Sequence, residues 1–157
     1  MIRVVVVLLM LSLITACSGV SRSLRIEQQL QRFEAAAGEP VKSFHYFGFN
    51  SWTPLGKQDL AVWTRPNQAW LLHTNSICPD LDFAQAIGLT SSLSRVQVRF
   101  DNILVGQVRC RIDSIRPVDV KALRELQREA RRNAIEMRDS GTPASDAAEP
   151  AEASDDR

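Results

Sequence analysis

The spacing of apolar residues changes character twice along the chain. Ile26, Leu30, Phe33 and Ala37 recur at intervals that share one helical face. Ser23 can cap the start of that helix, Gly38 its end, and Pro40 prevents continuation, so the pattern predicts a helix over 24–37. After Pro40 the spacing shortens to strands. In "KSFHYFGFNSW" strict alternation would put Phe44 and Tyr46 on one face and Phe47 and Phe49 on the other. "LAVWTR" and "QAWLLHT" flank Arg65-Pro66-Asn67-Gln68, which suits a four-residue hairpin loop with Trp63 opposite Trp70.

"CPDLDFAQAIGLTSS" reads either as a short helix capped by Asp80 and ended by Gly88, or as an extended crossing segment. "RVQVRF" sets Val96, Val98 and Phe100 against Arg95, Gln97 and Arg99. Asp101-Asn102 reads as a turn, "ILV" as a short strand and "QVRCRIDSI" as another. In the last of these, Val108, Cys110, Ile112 and Ser114 share one face, with Arg109, Arg111 and Asp113 on the other. Pro117 then ends the strand and can open a helix. In "PVDVKALRELQREARRNAIEM" Val120, Leu123, Leu126 and Ala130 form the apolar stripe, while Asp119 and Arg131–Arg132 suit the two ends of the helix dipole. The expected fold is α+β: a small antiparallel sheet, open or barrel-like, between an N-terminal and a C-terminal helix in one domain over 24–137.

The two ends read differently. Arg3 precedes the apolar run from Val4, which carries small interruptions at Ser12 and Thr15 and stops at Cys17. It is too short for a comfortable membrane span and has the layout of a secretory leader. Ile14-Thr15-Ala16-Cys17 resembles the bacterial lipobox. That resemblance implies a signal peptide over 1–16, cleavage before Cys17, acylation of Cys17, and a lipidated tether over 17–23. Ser18, in place of Asp, favours the outer membrane by resemblance to sorted lipoproteins. At the other end, 138–157 holds six acids, two arginines and no large apolar residue, and is expected to be a disordered acidic tail.

Charge removes one class of function. The net charge of the 157 residues is +1, and discarding Arg3 leaves 18 basic against 18 acidic residues, so no bulk field attracts nucleic acid. Of three cysteines, Cys17 is taken by the anchor. In an oxidising compartment the other two, Cys78 and Cys110, are expected to bridge. The chain-entropy account credits such a loop with about 3.7 kcal/mol. A zinc set of Cys78, Cys110, His45 and His73 is the alternative, and the absence of a short ligand pair speaks against it, so no metal or other cofactor is expected.

No nucleophile elbow, zinc-protease helix, phosphate-cradling glycine loop or C-x-x-C is present. His45 and His73 are the only histidines, with Asp59, Asp80, Asp82, Asp101 and Asp113 as potential partners. Phe47, Phe49, Trp52, Trp63 and Trp70 form the candidate contact surface. The outer arginines of the C-terminal helix, Arg124, Arg128, Arg131 and Arg132, form a second one.

"SWTPLG", "LAVWTRPNQAWLL", "CPDL", "AIGLTS", "RFD" and "CRIDSIRPVDVKALREL" together resemble a family of small proteobacterial lipoproteins of unknown function, over about residues 40–127. The resemblance supports the Cys78–Cys110 pair and implies no activity or catalytic residue. The expectation is an outer-membrane lipoprotein facing the periplasm that binds or supports another envelope protein or a cell-wall component. A small periplasmic hydrolytic or redox enzyme using His45 or His73 is the alternative.

Overall fold

A computed structural model describes residues 18–140, with side chains described for 22–136. The expected leader over 1–16, Cys17 and residues 141–157 of the expected tail lie outside the described residues, whereas 138–140 continue the C-terminal helix. Helix α1 (Ser18–Ala35) is followed by strands β1 (Ser43–His45), β2 (Ser51–Pro54), β3 (Asp59–Arg65) and β4 (Gln68–Thr74). A 3₁₀ turn at Leu81–Phe83 leads to β5 (Gly88–Leu89), β6 (Arg95–Gln97), β7 (Asn102–Val105), β8 (Val108–Val118) and helix α2 (Val120–Ser140). The main sheet has the order β2-β3-β4-β8-β7-β5, with every pairing antiparallel, and curls into a half-barrel. A second ladder, β1 with β6, supplies Phe44 and Val96 to one core of that sheet.

Each face of the sheet carries its own core. Ala61, Ala69, Leu71 and Val118 meet Phe33 of α1, Ala36 just beyond its end, and Val120 and Leu123 of α2. Leu60, Val62, Leu72, Ile112 and Ile115 meet Phe44, Leu81, Val96 and the disulfide Cys78–Cys110, whose Cα atoms are 5.6 Å apart. The α2 stripe is as expected, with Val120 and Leu123 buried and Leu126 and Ala130 half-buried. Asp119 caps the helix, its Oδ1 accepting the backbone N–H groups of Lys121 and Ala122 at 2.9 and 3.1 Å.

Several local expectations are corrected. Helix α1 starts at Ser18, inside the expected tether, and Ser23 lies within it. The β3–β4 loop has only two residues, Pro66 and Asn67, because Arg65 pairs with Gln68 and Thr64 is an unpaired bulge. Trp63 therefore opposes Ala69 while Trp70 opposes Val62, and the two indoles occupy opposite faces. A second bulge at Asp113 lets His73 pair with Ser114 and Thr74 with Ile112. It moves Ser114 off the Ile112 face and puts Ile115 there.

Strand β1 ends at His45, so alternation does not extend to the next aromatics. Gly48, at φ +133°, turns the chain and returns Phe49 to stack against Tyr46, whose ring meets Phe44 edge-on. The β6 alternation stops at Gln97, and Phe100 is 80 % exposed in the turn that follows. Asp101 is buried there instead of forming a turn tip. Its carboxylate accepts the Thr90 hydroxyl at 2.7 Å and the Gln97 N–H at 2.8 Å.

Pro117 stays within β8. Its carbonyl accepts from the Gly38 N–H at 2.8 Å. Its missing N–H lies on that same side, toward the irregular 38–40 segment, so the ladder to β4 loses nothing.

Candidate functional site

The five aromatic candidates do not form one surface. Trp63 packs edge-on against Phe33 of α1, with ring centroids 5.6 Å apart. Trp70 stacks on Phe44 at 4.7 Å on the opposite face, and Trp52 and Phe49 pack against that same core. The Trp70 indole N–H is buried with no hydrogen-bond partner among the described residues. Phe47 alone stands clear, 85 % exposed. The chain after β1 carries it past the end of the ladder, where the Tyr46 N–H donates to the Ser94 carbonyl at 2.8 Å.

Phe47 lies on the lip of a cavity of about 550 Å³, lined also by His45, Gly48, Thr64, Arg65 and Gln68. Three local features build it. Gly48 turns the 46–49 segment, the Thr64 bulge displaces the end of β3, and the two-residue loop brings Gln68 back beside Thr64. The Thr64 hydroxyl donates to Gln68 Oε1 at 3.0 Å, fixing one wall.

On the other wall, His45 accepts at Nε2 from the Arg95 guanidinium at 2.9 Å, which also donates to Ser43 Oγ at 3.1 Å. A guanidinium can only donate, so this bond requires the lone pair at Nε2 and places the imidazole proton on Nδ1. Among the described residues neither Arg65 nor Arg95 has an ion-pair partner, and no carboxylate lines the cavity. The Arg65 guanidinium, an imidazole held by Arg95, an amide and an open aromatic face make a surface suited to an anionic group with an apolar or planar neighbour. Tyr46, beneath this lip, has its hydroxyl pKa raised above the ordinary 10.0 by burial.

The other histidine sits elsewhere. His73 Nδ1 is 2.8 Å from Asp59 Oδ1, with side chains 45 % and 17 % exposed. Ser114 is the neighbour of His73 on its other side across the ladder. His73 and Asp59 do not line the cavity beside Phe47. The disulfide takes both thiols of the alternative zinc set. No group of three or more His, Cys, Asp or Glu side chains placed to hold a metal occurs among the described residues.

On α2, Arg128, Arg131 and Arg132 are interleaved with Glu125 and Glu129 around an open depression. Arg124 is drawn to the β3–β4 loop, donating to the Pro66 carbonyl at 3.1 Å and to Asn67 Oδ1 at 3.0 Å.

The sequence alone marked His45 and Phe47 but missed Thr64, Arg65, Gln68 and Arg95. The Arg-Pro-Asn-Gln turn is the one local signal for these residues, and by itself it marks a loop and not a site.

A family model described as a family of unknown function, DUF6491, matches residues 1–134, and the chain belongs to that family. The match extends well beyond the 40–127 segment on which the resemblance rests. No curated protein and no solved structure matches the chain.

Proposed function

We propose that this member of the family is a lipid-anchored protein of the bacterial cell envelope, held at the outer membrane through Cys17 and facing the periplasm. It acts by contact, receiving an anionic group of another envelope protein or of a cell-wall component in the cavity beside Phe47. The observation that carries this reading is the cavity itself: an exposed aromatic ring beside the Arg65 guanidinium and beside His45, which Arg95 holds, with neither arginine paired to a carboxylate among the described residues. The anchor is supported by Ile14-Thr15-Ala16-Cys17 and by a family match that takes in the leader.

Two arms test it. Radiolabelled palmitate should enter the wild type and not Cys17→Ser, and the latter should leave the membrane fraction or stay unprocessed. A photoreactive residue at 47 should capture a defined envelope component in intact cells, and Arg65→Ala with Arg95→Ala should cut the yield at least tenfold. A soluble, unlabelled wild type contradicts the anchor, and capture indifferent to both arginines contradicts the site.

A second reading, a small periplasmic hydrolase, is favoured by Asp59, His73 and Ser114 lying side by side on three adjacent strands. It predicts that His73→Ala stays folded yet loses the cellular phenotype, while Phe47→Ala keeps it. Loss of phenotype on His45→Ala would not separate the two readings, because His45 also lines the cavity.

A further inference from the structure

We infer that the end of the domain where α1 begins rests directly on the bilayer, with Phe83 and Ile77 entering the headgroup layer of the membrane that holds the anchor. The inference rests on the Cys17 anchor proposed above. Helix α1 starts at Ser18, the residue after Cys17. One peptide unit, about 3.8 Å between Cα atoms, therefore joins the acylated residue to the first described residue of the helix.

Arg22 follows four residues on, about 6 Å along the helix axis. Its guanidinium lies 4.5 Å from the centre of the Phe83 ring and donates to the Asp82 carbonyl. The polar layer of a bilayer is about 5–7 Å deep on each side, so Phe83 lies within its reach.

The neighbouring segments belong to the same end. A Cβ on Gly56 would lie 4.0 Å from the Ile26 side chain of α1, and the Cys78 N–H donates to the Lys57 carbonyl at 2.8 Å. The 55–58 turn and the 77–83 segment are thus gathered beside the first turns of the helix. Phe83 and Ile77 are 60 % and 64 % exposed there, on a segment stapled by Cys78–Cys110. An arginine over an aromatic ring matches the interface, with the guanidinium at the phosphates and the ring below.

Charge does not decide the contact. Arg22, Arg25 and Lys57 are offset by Asp80 and Asp82, so apolar insertion carries it and salt should matter little. Strand β3 runs from this end to the other, and its seven residues cover about 20 Å. The cavity beside Phe47 consequently faces away from the membrane.

The test uses the full lipidated chain in vesicles of phosphatidylethanolamine and phosphatidylglycerol with brominated acyl chains. An environment-sensitive dye is placed on Phe83→Cys, on Lys57→Cys or on Phe47→Cys, and flotation is scored beside quenching. All three should float. The dye at 83 should be quenched at least twofold, that at 57 less, and that at 47 not at all, with little change in high salt. Flotation with the dye at 83 as unquenched as at 47 overturns the inference and leaves the anchor standing. A dye at 83 that is shielded equally in detergent without bilayer marks a protein contact and also overturns it. Failure to float contradicts the anchor, and the inference falls with it.

Discussion

The two faces of the half-barrel solve the same burial problem by different means. One is covered by α1 and α2, long regular elements that satisfy their own backbone and lay Phe33, Val120 and Leu123 on the sheet. The other is covered by three-residue strands, a single 3₁₀ turn and irregular connections, which bring Phe44, Leu81 and Val96. Short elements supply little local stability, so this second cover depends on the disulfide and on the Asp101 hydrogen bonds. The difference also locates the proposed contact residue. Aromatics that land on either face become core, and Phe47 stays free because the irregular cover ends there.

A large expected effect falls on the strand-covered face. Removing the disulfide with Cys78→Ala and Cys110→Ala should cost about 3.7 kcal/mol by the chain-entropy account. Amide exchange should then accelerate first in β1, β6 and the 81–83 turn, with α1 and α2 last. Uniform acceleration over both covers would erase the distinction.

Asp101→Ala should come next, at about 1–3 kcal/mol for each buried donor left without its acceptor. Denaturant unfolding measures it, and a loss below 0.5 kcal/mol (about the range of an ordinary surface change) would show that the carboxylate is not needed there.

On the helix-covered face, Asp119→Ala should cost about 1 kcal/mol through the lost cap, seen as faster exchange in the first turn of α2. Asp119→Asn should recover most of it. Equal losses from both would point away from capping.

The smallest effect is a pH dependence. Tyr46 is the only tyrosine, so the phenolate absorbance of the protein reports it alone. Burial favours the neutral phenol, so the folded pKa is raised above the unfolded 10.0. Between the two values the unfolded chain binds fewer protons, and this contribution to stability is present below pH 10 and lost as pH rises above it. A titration midpoint at or below 10.0 in the folded protein would contradict the burial.

The sequence carried the long periodic elements and little of the irregular cover. The α2 stripe was legible because twenty residues repeat one pattern, and the disulfide followed from the expected compartment. The bulges at Thr64 and Asp113 were not legible. Each is one unpaired residue that leaves no mark on composition, yet each turns the following side chains to the other face, which is how Trp63 and Trp70 separate. Pro117 looked like a strand end because its missing donor is harmless only where the neighbouring segment is irregular. The cavity was half legible. His45 and Phe47 lie in a conspicuous stretch, whereas Arg95 reaches His45 across 50 residues of sequence, through the β1–β6 pairing that no local pattern shows.

The central claim, that contact passes through Phe47 while Phe49, Trp52, Trp63 and Trp70 hold the fold, is tested by measuring melting and partner capture together for Phe47→Ala and Trp63→Ala. Phe47→Ala should cost under 0.5 kcal/mol of stability, as for an ordinary surface site, and most of the capture. Trp63→Ala should cost about 3–5 kcal/mol, and the fraction that remains folded should capture as well as the wild type. If Phe47→Ala captures normally, or if Trp63→Ala loses capture while still folded, the claim is contradicted.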